Sequence, residues 1–536
     1  MNAARAARLA PLVLLLALLA VEASAHLLSP AYPGVWDDAY MFPRYADSVL
    51  AGHGLAWNAG GPPTYGLTSL GFLALVVPAR LVLRHDTMLA AALASVAAAA
   101  GLLWTLRRLV DRVAGGSAGR SWIVAYAMLA LAVAVPSLAP HVVSGMDTMF
   151  ATLYAAGILL VWLRVVERPA VGSVVACGVV GGLAYVARPD LVVFALAIPG
   201  AVLVLCPELR RPTLAALGLA VAGLGLTFLV TDAVFGSALP LAFFAKTGAA
   251  REPAIAAAYA HTAGEQLWDF VVTYRLLWLP LCLAPLVPRP GADRSRAVAL
   301  GAGLGAAMFA AFYLFFVRQI MGQDERFYLP LLPALVVLSA RALAQLLEAT
   351  GQGVGLGTVP VRAVAVVAAV AVLLPGAQTA VEDARVLATG PLVLTATDSY
   401  RLRFPDFWFR LDQLSALPDD LTIATTEVGH PAALNPHKRI LDLAGLNEPA
   451  LALGTRTASA LVAERRPDLV YLPHWDYRGM IEELLASDVL RRDYEVFLTQ
   501  PPQQPQMPVA IRIDSRYHAQ MAAILRDRPL LGARAP

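Results

Sequence analysis

Two adjacent carboxylates, Asp37 and Asp38, open a stretch that reads WDDAYMFPRYADSVLAGHGLAWNAGGPPTYGLTS over residues 36–69. Arg44, His53 and Tyr65 follow in the same polar, glycine-punctuated stretch. A carboxylate beside an acceptor hydroxyl can take its proton, and cations can stabilise a departing phosphate. Such a set suits group transfer from an activated phosphate donor. A single-displacement, inverting transfer needs one base, whereas a glycoside hydrolase needs two carboxylates several ångströms apart. Neighbouring side chains leave the backbone in different directions, so Asp37 and Asp38 fit one base and one structural or metal-shaping partner. Which is which stays open here. An aspartate is also a natural helix cap, and Pro43 suits a first helical turn. Capping accounts for one carboxylate but not for two beside Trp36, Tyr40 and Arg44.

For the phosphate and the substrate the candidates are Lys246, Arg326 and Arg188, with Arg44, His53 and Tyr65 in the first loop. Each has a plainer reading. Lys246 suits a snorkelling interfacial lysine, and Arg326 suits an ion pair with Asp324 or Glu325. Arg188-Pro189-Asp190 suits a tight interhelical turn, because the residue before proline is pushed out of the helix. His53 and Tyr65 also suit loop packing, and Asp147 suits a cap. No metal site or cofactor is required by this chemistry, although an adjacent acidic pair can hold a divalent cation. Cys177, Cys206 and Cys282 all lie in apolar runs without a CxxC spacing, which reads as buried packing cysteines.

These residues must be positioned by a chain that is mostly hydrocarbon. Of 536 residues 58% are hydrophobic and 15% charged, and the mean hydropathy is +0.63. Soluble domains carry about a quarter charged residues, so the composition is that of an integral membrane protein. The net charge of +3 gives no sign of a nucleic-acid partner. The apolar run over residues 9–28 reads as a retained anchor, although Ala23-Ser24-Ala25 resembles a cleavage site. Further spans are expected near 88–106, 121–137, 147–164, 171–187, 191–206, 213–235, 267–287, 297–317, 327–348 and 360–376. Arginine-bearing loops after residues 106, 164, 207 and 288 fall on one side if residues 67–83 lie in the interface rather than crossing. That gives about eleven spans. The opposite, extracytoplasmic side then collects Asp37, Asp38, residues 141–148, Arg188, Lys246 and Arg326, and ionisable groups near hydrocarbon are usually functional. Residues 377–536 are more polar and read as a soluble α/β domain on that face. Strands are expected from Leu421, Asp468 and Pro508, helices over 458–466 and 480–491, and a loop at PPQQPQMP.

The order of motifs resembles the GT-C superfamily of polyprenyl-phosphate-sugar glycosyltransferases. It is most similar to the branch holding the terminal β-arabinofuranosyltransferase. Residues 37–58 follow a DDAY-x3-RYA pattern ending in G-x-G-L-x-x-N. Ser144-Gly145-Met146-Asp147-Thr148, Ala187-Arg188-Pro189-Asp190, Gly236 with Pro240 and Lys246, Arg326-Phe327 with Pro330, and Asp442-Leu443-Ala444-Gly445-Leu446 recur in family order. The resemblance implies a GT-C fold: a transmembrane catalytic domain over 1–376, with a first periplasmic loop and interfacial helices at 29–84, and a periplasmic domain over 377–536. It implies an aspartate base in the first loop. The donor would be like decaprenyl-phosphoryl-arabinofuranose, the acceptor an envelope glycan, and the location the bacterial inner membrane. Departures lie at PLAFFAK, which lacks the usual Asn and tyrosines, and at PPTYGLT, which lacks the usual Glu. The same chemistry with another sugar, or with a pilin, O-antigen or lipid acceptor, is the neighbouring reading. A lipid-linked-sugar transporter and a non-catalytic envelope-binding protein are readings of other classes; transporters favour broken helices near the mid-bilayer.

Overall fold

The structure, a computed structural model, describes residues 3–114, 120–247, 253–286, 294–317, 319, 323–351, 376–403, 411–472, 477–499 and 507–525. Six helices among them are long and apolar enough to cross a membrane: Ala10–Leu28, Thr87–Val113, Thr148–Glu167, Pro207–Phe235, Arg294–Phe315 and Leu329–Glu348. Ser121–Val133 and Val135–Val143, bent by 74°, make a seventh if taken as one span. The chain is thus a multi-pass membrane protein by the length and apolarity of its helices.

Other expected spans take shorter forms, and eleven full crossings are not established. Residues 171–187 hold a 12-residue helix, Val171–Gly182, and a short turn, Ala184–Ala187. Pro189–Leu205 is a shorter apolar helix. The span near 267–287 divides at Tyr274 into Pro253–Thr273 and Arg275–Leu283. The span at 360–376 lies outside the described residues but for Gly376, as does residue 501–506 of the proline-rich loop. Leu70–Val82 is a helix of 13 residues capped by Ser69. At 1.5 Å per residue it rises roughly 20 Å, short of the ~30 Å hydrocarbon layer. The expectation that the cysteines are all buried holds for Cys177 and Cys206 only; Cys282 is exposed on Arg275–Leu283.

Two compact units divide the chain, and neither is continuous in sequence. The first comprises Met1–Gly34, Ser95–Phe228 and Ala260–Leu392; the second comprises Val35–Ala94, Leu229–Tyr259 and Val393–Pro536. The first holds most of the helices above, whereas Leu70–Val82 belongs to the second. The first unit's buried side chains are chiefly Ala, Leu and Val, with large aromatics such as Phe194, Phe309 and Tyr328 between helices.

The second unit carries a five-stranded sheet, β1 (Thr422–Thr425), β2 (Arg439–Asp442), β3 (Leu469–Tyr471), β4 (Tyr494–Thr499) and β5 (Met507–Arg512). The spatial order is β2-β1-β3-β5-β4. β1 is parallel to β2 and β3, while β5 is antiparallel to β3 and β4. The strands expected from Leu421, Asp468 and Pro508 are β1, β3 and β5. Helix Ala458–Arg465 is as expected, capped by Thr457, and the helix expected at 480–491 is two, Arg478–Ala486 and Asp488–Asp493, parted at the Ser487 cap. Leu443, Leu461, Val462, Leu472 and Leu484 form the apolar core around this sheet.

Candidate active site

The carboxylates sit in a 3₁₀ helix, Asp37–Tyr40, that runs into the α-helix Met41–Leu50 with Pro43 in its first turn. Neither aspartate caps a helix; the flanking cap positions are Trp36 and Tyr40. Asp37 is buried and fully engaged. Its Oδ2 accepts from the Gly429 N–H at 2.9 Å, and its Oδ1 accepts from the His430 N–H at 2.7 Å and lies 2.8 Å from His430 Nδ1. Burial raises the Asp37 pKa, but the imidazole's hydrogen bond and charge and the two backbone N–H groups outweigh it. The group is held below the usual carboxylate range. The approach requires glycine at 429, because a Cβ there would lie 1.7 Å from the Asp37 carbonyl oxygen.

Asp38 is half-buried, where its neighbour Asp37 is buried. The pair is therefore unequal: Asp37 ties the loop to Gly429–Leu434, and Asp38 is the more accessible carboxylate. Sequence reasoning missed His430 entirely. The signal was a histidine behind a glycine at the end of an expected strand, in EVGHP.

Arg44, expected as a phosphate ligand, is buried in the second unit. Its Nε donates to the Trp57 carbonyl at 2.8 Å, and its Nη2 donates to the Lys438 carbonyl at 2.8 Å and to Asn58 Oδ1 at 2.9 Å. The guanidinium also lies 4.7 Å from the Trp57 ring centre. Burial among neutral oxygens pulls its pKa down to about 10. Trp57 and Asn58 donate in turn to the Ile440 carbonyl, so two side chains of the first loop bind the backbone of β2 and Arg44 binds the residue just before it. Tyr65 is likewise buried, stacked on Phe235 at 4.7 Å, with its carbonyl accepting from Leu241 N–H. His53 is exposed on a cavity of about 720 Å³ whose lining includes Arg44, Arg84, His85, Asp86 and His437.

The D-x-x-G-L motif also belongs to this unit. Asp442 closes β2 and accepts from the N–H groups of Ala444, Gly445 and Asn447 and from Asn447 Nδ2. Asn447 Oδ1 accepts from Tyr45. Burial outweighs these neutral donors and pushes the Asp442 pKa up to about 6.

The remaining cations of the sequence reading divide otherwise. The backbone of Lys246 falls in helix Leu241–Thr247 of the second unit, and its side chain lies outside the described atoms. Arg188 and Arg326 belong to the first unit. Arg188, extended before Pro189, makes a buried ion pair with Asp190 at 2.6 Å and donates to Tyr313 at 3.1 Å. Arg326 is buried over the Phe327 ring at 4.8 Å. In the same unit His141 Nε2 lies 2.6 Å from the Asp324 carbonyl, a residue held at φ 49°. Asp147 precedes helix Thr148–Glu167 without a side-chain cap bond. Among the described residues no group of three or more His, Cys, Asp or Glu could hold a metal ion.

This chain is similar in structure to ArnT from Cupriavidus metallidurans in the apo state, with a TM-score of 0.53, 15% identity, and coverage of 95% of this chain and 98% of that one. The same protein bound to undecaprenyl phosphate gives a TM-score of 0.52, 15% identity, and coverage of 94% and 98%. No protein-family model and no curated protein sequence matches. At that identity the likeness is one of fold. It does not single out the arabinofuranosyltransferase branch expected from the order of motifs.

Proposed function

We propose that this chain is a polyprenyl-phosphate-sugar glycosyltransferase with Asp38 as its base. The observation that carries the reading is the likeness of fold, along nearly the whole chain, to a protein whose structure holds undecaprenyl phosphate. Asp38 takes the proton of the acceptor hydroxyl as that oxygen attacks the anomeric carbon. The bond from that carbon to the phosphate oxygen breaks, the configuration inverts, and polyprenyl phosphate leaves with the electron pair. Asp37, occupied by three donors, holds the loop so that its neighbour faces the acceptor. Arg44 and Tyr65 shape the loop, while Lys246, Arg188, Arg326 and His53 remain the candidates for phosphate and substrate. A divalent cation beside the acidic pair is a second arrangement, and loss of activity in EDTA is its sign. The motif resemblance favours an arabinofuranosyl donor, an envelope glycan acceptor and an extracytoplasmic site.

The test is incubation of purified protein with a panel of polyprenyl-phosphate sugars, following release of polyprenyl phosphate. Asp38→Asn is expected to lower turnover at least about 100-fold, the scale of a lost general base, while donor binding persists. Unchanged turnover in that variant removes Asp38 from the role, and no release with any donor removes the transferase reading.

A further inference from the structure

In the first unit, helix Thr87–Val113 from Ser95 onward and helix Thr148–Glu167 run side by side and parallel. Ser95 Oγ donates to the Met146 carbonyl at 3.1 Å, and Gly101 has so little room that a Cβ there would meet Leu153 at 3.0 Å. Arg112 pairs with Glu167 at the far end. Between the last turns of the two helices is a recess of about 420 Å³, lined by Trp104, Arg108, Asp111, Arg112, Leu160 and Arg164. Trp104, Arg108, Asp111 and Arg112 follow helical spacing, i, i+4, i+7 and i+8, and Leu160 and Arg164 are one turn apart, so each helix turns one stripe to the recess. Arg108 lies 5.4 Å from the Trp104 ring centre, and Trp104 is 55% exposed.

Three arginines against one aspartate leave the lining with a net charge of about +2. Arg112 is engaged by Glu167, whereas Arg108 and Arg164 are exposed along the wall. Charge bias toward one membrane face explains why arginines follow a span. It does not explain a recess that gathers three of them from two helices beside an exposed indole and a buried leucine. Tryptophan favours the headgroup level of a bilayer, and basic recesses between spans take anionic headgroups. The occupant must offer an anion at the arginines and a hydrocarbon chain along Trp104 and Leu160.

We infer that this recess binds the headgroup of an anionic phospholipid, with Arg108 and Arg164 on its phosphate and Trp104 against its acyl chains. The site is independent of the transfer reaction. The full chain is reconstituted in nanodiscs of equal phosphatidylcholine and phosphatidylglycerol, and the lipid that survives extraction is counted by native mass spectrometry. Wild type is expected to retain phosphatidylglycerol over phosphatidylcholine. Arg108→Gln with Arg164→Gln is expected to lower that preference about 10- to 30-fold, from the contribution of two arginines near anionic lipid. The melting temperature in pure phosphatidylcholine tells whether the variant folds; if it does not, Arg108→Gln alone is read the same way with a smaller drop. Equal retention by wild type and variant overturns the inference. So does displacement of the retained lipid by millimolar inorganic phosphate, which would assign the recess to the free anion.

Discussion

The two units neutralise buried charge in different ways. In the first, Arg188 meets a carboxylate two residues along the chain, and Tyr313 completes the cluster. In the second, Asp37 is satisfied by groups 392 and 393 positions away, and Arg44 binds the Lys438 carbonyl 394 positions away as well as nearer groups of its own loop. A local opposite charge cancels a cost; distant backbone partners also fasten one part of the chain to another. Removing a charge with its counter-charge is therefore tolerable in the first case and not in the second.

The largest effect is expected at the fastening. Asp37→Ala leaves two N–H groups and an imidazole without their acceptor, a loss of about 3–5 kcal/mol for a broken buried pair. Unfolding in detergent measures it. Asp37→Leu with His430→Leu is expected to be no better, since the backbone donors stay orphaned; recovery in that double variant breaks the comparison. Next, Arg188→Gln should lose about 3 kcal/mol by stranding Asp190, and Arg188→Met with Asp190→Leu should regain most of it. Stability regained without activity would mark Arg188 as a substrate ligand as well.

The smallest effect is a slope in pH, and it separates two buried carboxylates of the second unit. Asp37 is held low, so its share of stability is present above the ordinary aspartate range and is lost as pH falls through its folded value. Asp442 is raised to about 6, so its folded form keeps a proton that the unfolded chain gives up. Its share is present in acid and declines as pH rises from about 4 to 6. Melting curves of Asp442→Asn at pH 4.5 and 6.5 should lack that decline; an unchanged slope would assign it elsewhere.

How much of this was legible in the sequence follows from distance along the chain. Asp37 and Asp38 stood out because two carboxylates beside an apolar run demand a reason, but nothing near them names His430. Arg44 was read as a phosphate ligand because a loop arginine gives no sign of carbonyl partners such as those of Trp57 and Lys438. The six long helices were written in hydrocarbon length alone. The shorter ones were not, because Pro189–Leu205 and the segment broken at Tyr274 match spans in composition while differing in backbone. β1, β3 and β5 showed their branched residues. β2, four residues that begin in a basic pair and end on the aspartate of the D-x-x-G-L motif, gave no such run, and the run in β4, YEVFLT, was passed over because it follows Asp488–Asp493 without a turn signal.

The Asp37 bonds also set an order of events during synthesis. A ribosome adding about 5–20 residues per second makes the first loop roughly 20–80 s before Gly429 and His430 exist. Through that interval the nascent chain is already threading its early helices into the bilayer while Asp37 has none of the donors that later hold it. The fastening of Asp37 is thus withheld until translation is four-fifths done, and a polypeptide released early would lack it.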